Sequence, residues 1–192
     1  VAYFPAFINL NNKKVLLVGA GNIAGEKLEK LLIFTKNITV IAPEVSDKVK
    51  ILVEENRLTL HKRKYLQKDI ESFSVVIVAV DDLSMQKEIY EECQKHNILC
   101  NSVDSVEYCD FIFPSYIKKG SLTIAISTSG SSPSVAKYLR LAIENLIPDS
   151  IESFLDEMKK IRSTLPKGKE RMKLLDEKAK KYIDTIFKFT QH

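Results

Sequence analysis

The chain of 192 residues has no uninterrupted apolar run near the ~20 residues of a membrane span, and it does not open with a basic stretch followed by a signal-type apolar core. The expected compartment is therefore the cytoplasm, with no membrane partner. Cysteine is scarce: Cys93, Cys100 and Cys109 make neither a C-x-x-C pair nor an even disulfide framework, so buried free thiols are expected. Histidine is equally scarce, and His61, His96 and His192 form no H-x-x-x-H or His/Cys cluster that would hold a permanent metal. Internal repeats and low-complexity segments are also missing.

The formal net charge of +4 is unevenly spread, because residues 151–192 carry 11 Lys/Arg against 7 Asp/Glu and the remainder is balanced at 18 against 18. A basic tail can serve nucleic acid, but here the charges interleave with Leu, Ile, Met and Phe at helical intervals. That pattern favours a solvated helix face, and no nucleic-acid partner is expected.

Along the chain the pattern alternates between strand and helix. Val15-Leu16-Leu17-Val18 reads as a buried strand that ends in Gly19-Ala20-Gly21-Asn22-Ile23-Ala24-Gly25 and runs into a helix. A second strand at 38–42 stops at Pro43, an amphipathic helix covers 46–56, and a short strand follows at 58–60. The stretch 74–80 is the most strongly β of the chain, 84–96 is helical, and 98–101 is the next strand. Such alternation predicts a Rossmann-like α/β domain built on a parallel sheet. From about residue 111 two alternating strands, 111–118 and 121–128, meet at Lys119-Gly120 and predict a β-hairpin. Ser132 as N-cap and Pro133 at the first position then start a helix with Val135, Leu139, Ala142, Ile143 and Leu146 on its buried side. The rest is helical, with breaks at 164–168. The expected domains are a dinucleotide-binding Rossmann domain at 1–112, a hairpin-and-helix region at 113–148 and a helical C-terminal region at 149–192.

Ligands of open α/β sheets bind beyond the carboxyl ends of the strands. The pattern G-x-G-x-x-A supplies Gly19 for the turn, Gly21 for close approach of a pyrophosphate, and Ala24 for close helix packing. An anion there meets unpaired N–H groups and the positive end of the helix dipole. Where an acid holding the ribose hydroxyls is usual, this chain has Ala42 and Pro43, with Glu44 two residues late. Glu44 reads equally as a ribose ligand or a first-turn helix acid, and with no arginine for a 2′-phosphate the choice tilts to NAD. Asp81-Asp82 closes the third long strand. Asp104 lies just past a strand end, where a carboxylate could act as general base or simply belong to a turn.

Taken in order, F-P-A-F-I-N-L, V-L-L-V-G-A-G-N-I-A-G-E-K, V-I-A-P-E, A-V-D-D, N-S-V-D, F-I-F-P-S and I-A-I-S-T-S-G-S-S-P-S-V-A resemble the siroheme synthase and precorrin-2 dehydrogenase family over residues 3–147. The resemblance implies NAD-dependent oxidation of precorrin-2 to sirohydrochlorin, with ferrous iron as a further substrate in members that also make siroheme. It implies cofactor contacts at Gly19, Gly21, Asn22, Ile23, Pro43 and Glu44, with Val80, Asp81 and Asp82 lining the same cleft. The family's essential aspartate matches Asp104, and its members are homodimers that exchange the hairpin and following helix. Precorrin-2 carries many carboxylates, and the turn of Ser127, Thr128, Ser129, Ser131 and Ser132 before a helix N-terminus suits an anion, aided by Lys137 or Arg140. Two departures are visible. Thr128 stands where some members carry a regulatory phosphoserine, and the family's fused methyltransferase is not among these 192 residues, so precorrin-2 is expected to come from another protein. The competing reading is a non-catalytic NAD-binding regulatory module.

Overall fold

The computed structural model describes residues 3–103 and 105–187, and it divides into two compact units that meet in sequence between Ile112 and Phe113. Asp104 lies outside the described residues.

The first unit contains β1 (Val15–Val18), α1 (Asn22–Leu32), β2 (Ile38–Ile41), α2 (Asp47–Asn56), β3 (Thr59–His61), β4 (Val75–Val78), α3 (Leu83–Lys95) and β5 (Leu99–Ser102). The five strands form one parallel sheet in the order β3-β2-β1-β4-β5. All four residues of β1 and all four of β4 are buried, which explains why their sequences are continuous apolar runs without alternation. Their register, Val18 opposite Val78, sets the two carboxyl ends side by side where the winding reverses direction.

Local chemistry decides where the helices begin. Ser46 accepts from the Val49 amide to cap α2, and Asp82 accepts from Ser84 and Met85 at 2.9 and 3.1 Å to cap α3. Helix α1 has Gly21 at its N-cap, no side chain capping it and no acid in its first turn.

The link from β3 to β4 contains no helix. It is held by a bidentate pair, Arg63 to Asp69 at 2.7 and 2.8 Å, and by the buried carboxylate of Glu92 on α3. Glu92 accepts from the Tyr65 hydroxyl at 2.5 Å and from the Lys68 amide at 2.7 Å. Burial and the neighbouring carboxylate both push the Tyr65 hydroxyl well above the usual phenol range. Between these anchors Ile70 is fully buried in a core with Leu16, Val76, Ile89 and Cys100. That core replaces the crossover helix.

The second unit contains β6 (Ser115–Lys119), β7 (Leu122–Ile126), α4 (Pro133–Leu146), α5 (Ser150–Thr164) and α6 (Lys169–Ile186). Strands β6 and β7 form the expected hairpin, but Lys119 pairs with Leu122, so the turn residues are Gly120-Ser121 rather than Lys119-Gly120. The strands are also shorter than the expected 111–118 and 121–128, since residues 111–114, 121, 127 and 128 lie beyond the ladder. Ser132 caps α4 by accepting from Val135, with Pro133 at the first position. The expected buried side of α4 is a correction: Val135, Leu139 and Leu146 are 49, 46 and 59 % exposed, and only Ala136 of the helix is buried. The helix packs on the hairpin of its own unit, and two short strands are too narrow to cover an apolar stripe of four turns. Helices α5 and α6 pair through Phe154 stacked on Tyr182, with ring centroids 4.0 Å apart.

Candidate dinucleotide site

The register of the sheet arranges the predicted residues along one edge. Beyond β2 come Pro43 and Glu44, beyond β1 the glycine turn, beyond β4 Val80 to Asp82, and at the end of β5 Asn101 to Val103. Pro43, Glu44, Gly21, Asn22 and Asp81 are all exposed there.

Gly19 is locked into the turn. Its φ is +102°, its amide donates to Ile41 at 2.9 Å, and a Cβ would stand 2.1 Å from the Ala79 carbonyl oxygen. Only glycine fits between β1 and β4 at this point. Gly21 is the opposite case: its φ is −77° and a Cβ would meet nothing within 4 Å. The space over Gly21 is open, and the first-turn amides of α1, which have no helical carbonyl to bond, carry no side-chain cap. An open cradle, uncapped amides and no first-turn acid together fit a pyrophosphate. Ala24 is fully buried, as its role in close packing requires. Gly25 has a second use, since a Cβ there would press on the Lys48 stem of α2 at 3.0 Å. Lys48 in turn pairs with Glu29 at 2.8 Å, so the first cation after β2 in sequence is already engaged.

The acids after β4 separate in role. Asp82 spends its carboxylate as the cap of α3, and Asp81 remains exposed. Sequence reasoning missed Gln86, which is 97 % removed from solvent beneath this turn and donates from Nε2 to the Val80 carbonyl at 2.7 Å. The signal was present: Gln86 falls in the helical stripe with Ile89 and Cys93, and a polar residue in an apolar stripe marks a buried hydrogen bond.

At the end of β5, Asn101 donates to the Phe111 carbonyl at 2.8 Å and the Cys109 thiol donates to the Ser102 and Ser105 carbonyls at 3.1 Å. These bonds fold the segment 105–111 back against the strand. Burial pushes the Cys109 thiol up, so it stays protonated despite the nearby Lys27 charge. Cys93 and Cys100 are buried free thiols. Among the described residues no three His, Cys, Asp or Glu side chains gather as metal ligands, and no helix is long and apolar enough to cross a membrane.

The serine turn lies in the second unit. The Thr128 hydroxyl donates to the Ser132 carbonyl and accepts from the Ser132 amide, at 3.0 and 3.1 Å, so it closes the turn. Ser129 and Gly130 have φ of +50° and +84°, while Ser127, Ser129 and Ser131 are exposed. Lys137 is exposed on α4, and Arg140 pairs with Glu144 one turn on.

The doubly wound parallel sheet, with an open glycine turn at its reversal point, defines a dinucleotide-binding protein of the Rossmann-like class. Residues 6–115 match the family model described as "Putative NAD(P)-binding", and the chain belongs to that family. It is similar to the siroheme synthase of Pseudoalteromonas atlantica, with 37 % identity over 163 residues, 85 % of this chain and 35 % of that protein. The siroheme synthase of Mannheimia succiniciproducens is 30 % identical over 185 residues, 96 % of this chain and 38 % of its own length. The chain thus spans about a third of the length of these curated relatives. A solved structure titled "SirC, precorrin-2 dehydrogenase" superposes with a TM-score of 0.76 at 22 % identity, covering 97 % of this chain and all of that one, which establishes the shared fold.

Proposed function

We propose that this chain is an NAD-dependent dehydrogenase that oxidises precorrin-2 to sirohydrochlorin in siroheme biosynthesis. One observation carries the reading most: the open, uncapped cradle over Gly21 at the sheet's reversal point, in a chain similar to siroheme synthases along most of its length. Gly19, Gly21, Asn22 and Ile23 would hold the pyrophosphate through backbone amides. Pro43 and Glu44 would border the adenosine ribose, and Val80 and Asp81 the facing wall, with Asp82 fixing that wall as a cap. The choice of NAD over its 2′-phosphate rests on exposed Glu44 and on Lys48 being engaged by Glu29. When bound, the dinucleotide supplies a hydride acceptor. Asp104 is proposed as the general base that takes the substrate proton in the same step. The exposed serines at 127, 129 and 131, with Thr128 and Ser132 shaping the turn and Lys137 nearby, are proposed to receive substrate carboxylates.

The exposed apolar side of α4 supports a homodimer in which a second copy covers Val135, Leu139 and Leu146. Ferrous iron enters this scheme as substrate: the same base would assist loss of the pyrrole protons during insertion.

Anaerobic incubation with precorrin-2 and NAD, followed by ferrous iron, tests these steps through the tetrapyrrole spectrum. Two successive spectral changes are expected. A single change would restrict the activity to dehydrogenation, and none, with NAD still bound, would leave a regulatory NAD-binding module.

A further inference from the structure

We propose that Gln86 is a positioning residue whose amide fixes the peptide between Val80 and Asp81 so that the Asp81 N–H is presented to an acceptor oxygen of the bound dinucleotide. The inference rests on the NAD-binding reading above and extends it to a residue outside the glycine turn.

The argument begins with a buried amide. Gln86 is 3 % exposed, its Nε2 donates to the Val80 carbonyl at 2.7 Å, and its Oε1 is buried with no hydrogen-bond partner among the described residues. The reverse orientation of the amide would set two acceptors against each other, so the carbonyl of Val80 dictates it. A glutamine kept in an apolar stripe at the expense of an unpaired oxygen needs a reason beyond packing. The reason lies in the turn above it. The described residues contain no cis peptide, and across a trans peptide the C=O and the following N–H point in opposite directions. With the Val80 oxygen drawn toward Gln86 on α3, the Asp81 N–H points the opposite way, in a peptide that lies beyond the carboxyl end of β4.

Two further constraints keep it there. The Asp82 carboxylate caps α3 through Ser84 and Met85, which fixes the residue after the peptide. On the other side Val80 lies against the glycine turn, its Cγ1 only 3.2 Å from where a Gly19 Cβ would stand. The Val80–Asp81 peptide is therefore pinned from below and from both flanks, beside the proposed pyrophosphate cradle. A backbone donor held in this way complements the uncapped amides of α1 on the facing side of the cleft.

The test uses the full chain labelled with 15N and titrated with NAD, alongside the variant Gln86→Met, which keeps the side-chain length and removes the donor. In the wild type the Asp81 amide is expected to move downfield as NAD saturates. In Gln86→Met the dissociation constant for NAD is expected to rise about tenfold, with a urea midpoint close to that of the wild type. NAD binding to the wild type without a response at the Asp81 amide overturns this inference alone, as does a variant that binds NAD as tightly as the wild type. A wild type that binds no NAD overturns the functional reading and this inference with it. Should Gln86→Met fail to fold, the wild-type amide response decides the matter by itself.

Discussion

Alanine at Gly19 and alanine at Gly21 should fail in different ways. At Gly19 the backbone sits at φ +102°, where an L-residue pays about 1–2 kcal/mol for its Cβ. The added carbon would also lie 2.1 Å from the Ala79 oxygen and 2.8 Å from its carbonyl carbon, both backbone atoms. Relief requires β1 and β4 to part, although the Ala79 amide is bonded to Val18 at 2.8 Å. Forced overpacking of this kind costs about 1–3 kcal/mol more. Gly19→Ala should therefore lose about 2–5 kcal/mol of the 5–15 typical of a domain, a fall in melting temperature of roughly 4–20 °C for a chain of this size. At Gly21 the backbone is ordinary and the added methyl meets nothing, so stability should change by about 1 kcal/mol or less. That methyl would instead occupy the proposed phosphate cradle, and NAD affinity should fall at least about tenfold, ~1.4 kcal/mol. Parallel thermal melts and calorimetric titrations with NAD separate the two. A Gly19→Ala protein that melts within about 2 °C of the wild type, or a Gly21→Ala protein with undiminished NAD affinity, would refute the reasoning.

Three other outcomes are expected. Ile70→Ala should lose about 2–5 kcal/mol in urea titrations, because the side chain is fully buried in the core that stands in for a crossover helix; a loss under about 1 kcal/mol would mean that the link collapses around the gap. Tyr65→Phe should weaken the protein at neutral pH and flatten its alkaline decline. The Tyr65 hydroxyl titrates higher in the folded than in the unfolded state, so its contribution is whole below about pH 10 and drains away as pH rises further. Equal slopes for the two proteins between about pH 9 and 11 would contradict this. Leu139→Asp on α4 should convert a dimer into a monomer in sedimentation measurements, and a wild type already monomeric would dismiss the proposed interface.

The sheet was legible because burial on both faces writes itself as uninterrupted Val, Ile and Leu, as in β1 and β4. The glycine turn and the cap at Ser132 were legible because each is set by neighbouring residues in the chain. What escaped depends on distant partners. Glu92 looks like a surface residue until α3 is packed on the sheet, when it proves to be a buried hydrogen-bonding group, and Gln86 stands in the apolar stripe but its partner, the Val80 carbonyl, shows only in the fold. The apolar stripe of α4 was read correctly as a pattern, but a pattern names a face to be covered and not what covers it. The resemblance puts Asp82 on the wall of the cleft, and only the fold shows that its carboxylate also caps its own helix. The role proposed for Asp104 comes from the family resemblance, its position past a strand end from the sequence pattern.

The helix-free link between β3 and β4 also makes the molecule a gauge of its own integrity. It opens with Lys62, Arg63 and Lys64 and includes Lys68, a concentration of tryptic bonds on the surface. A protease needs several residues of slack chain, and the grip of Glu92 on Tyr65 and Lys68, with Arg63 fastened to Asp69, denies it that slack. The first nick by trypsin in this region should therefore time the release of one buried carboxylate, well before the sheet itself gives way.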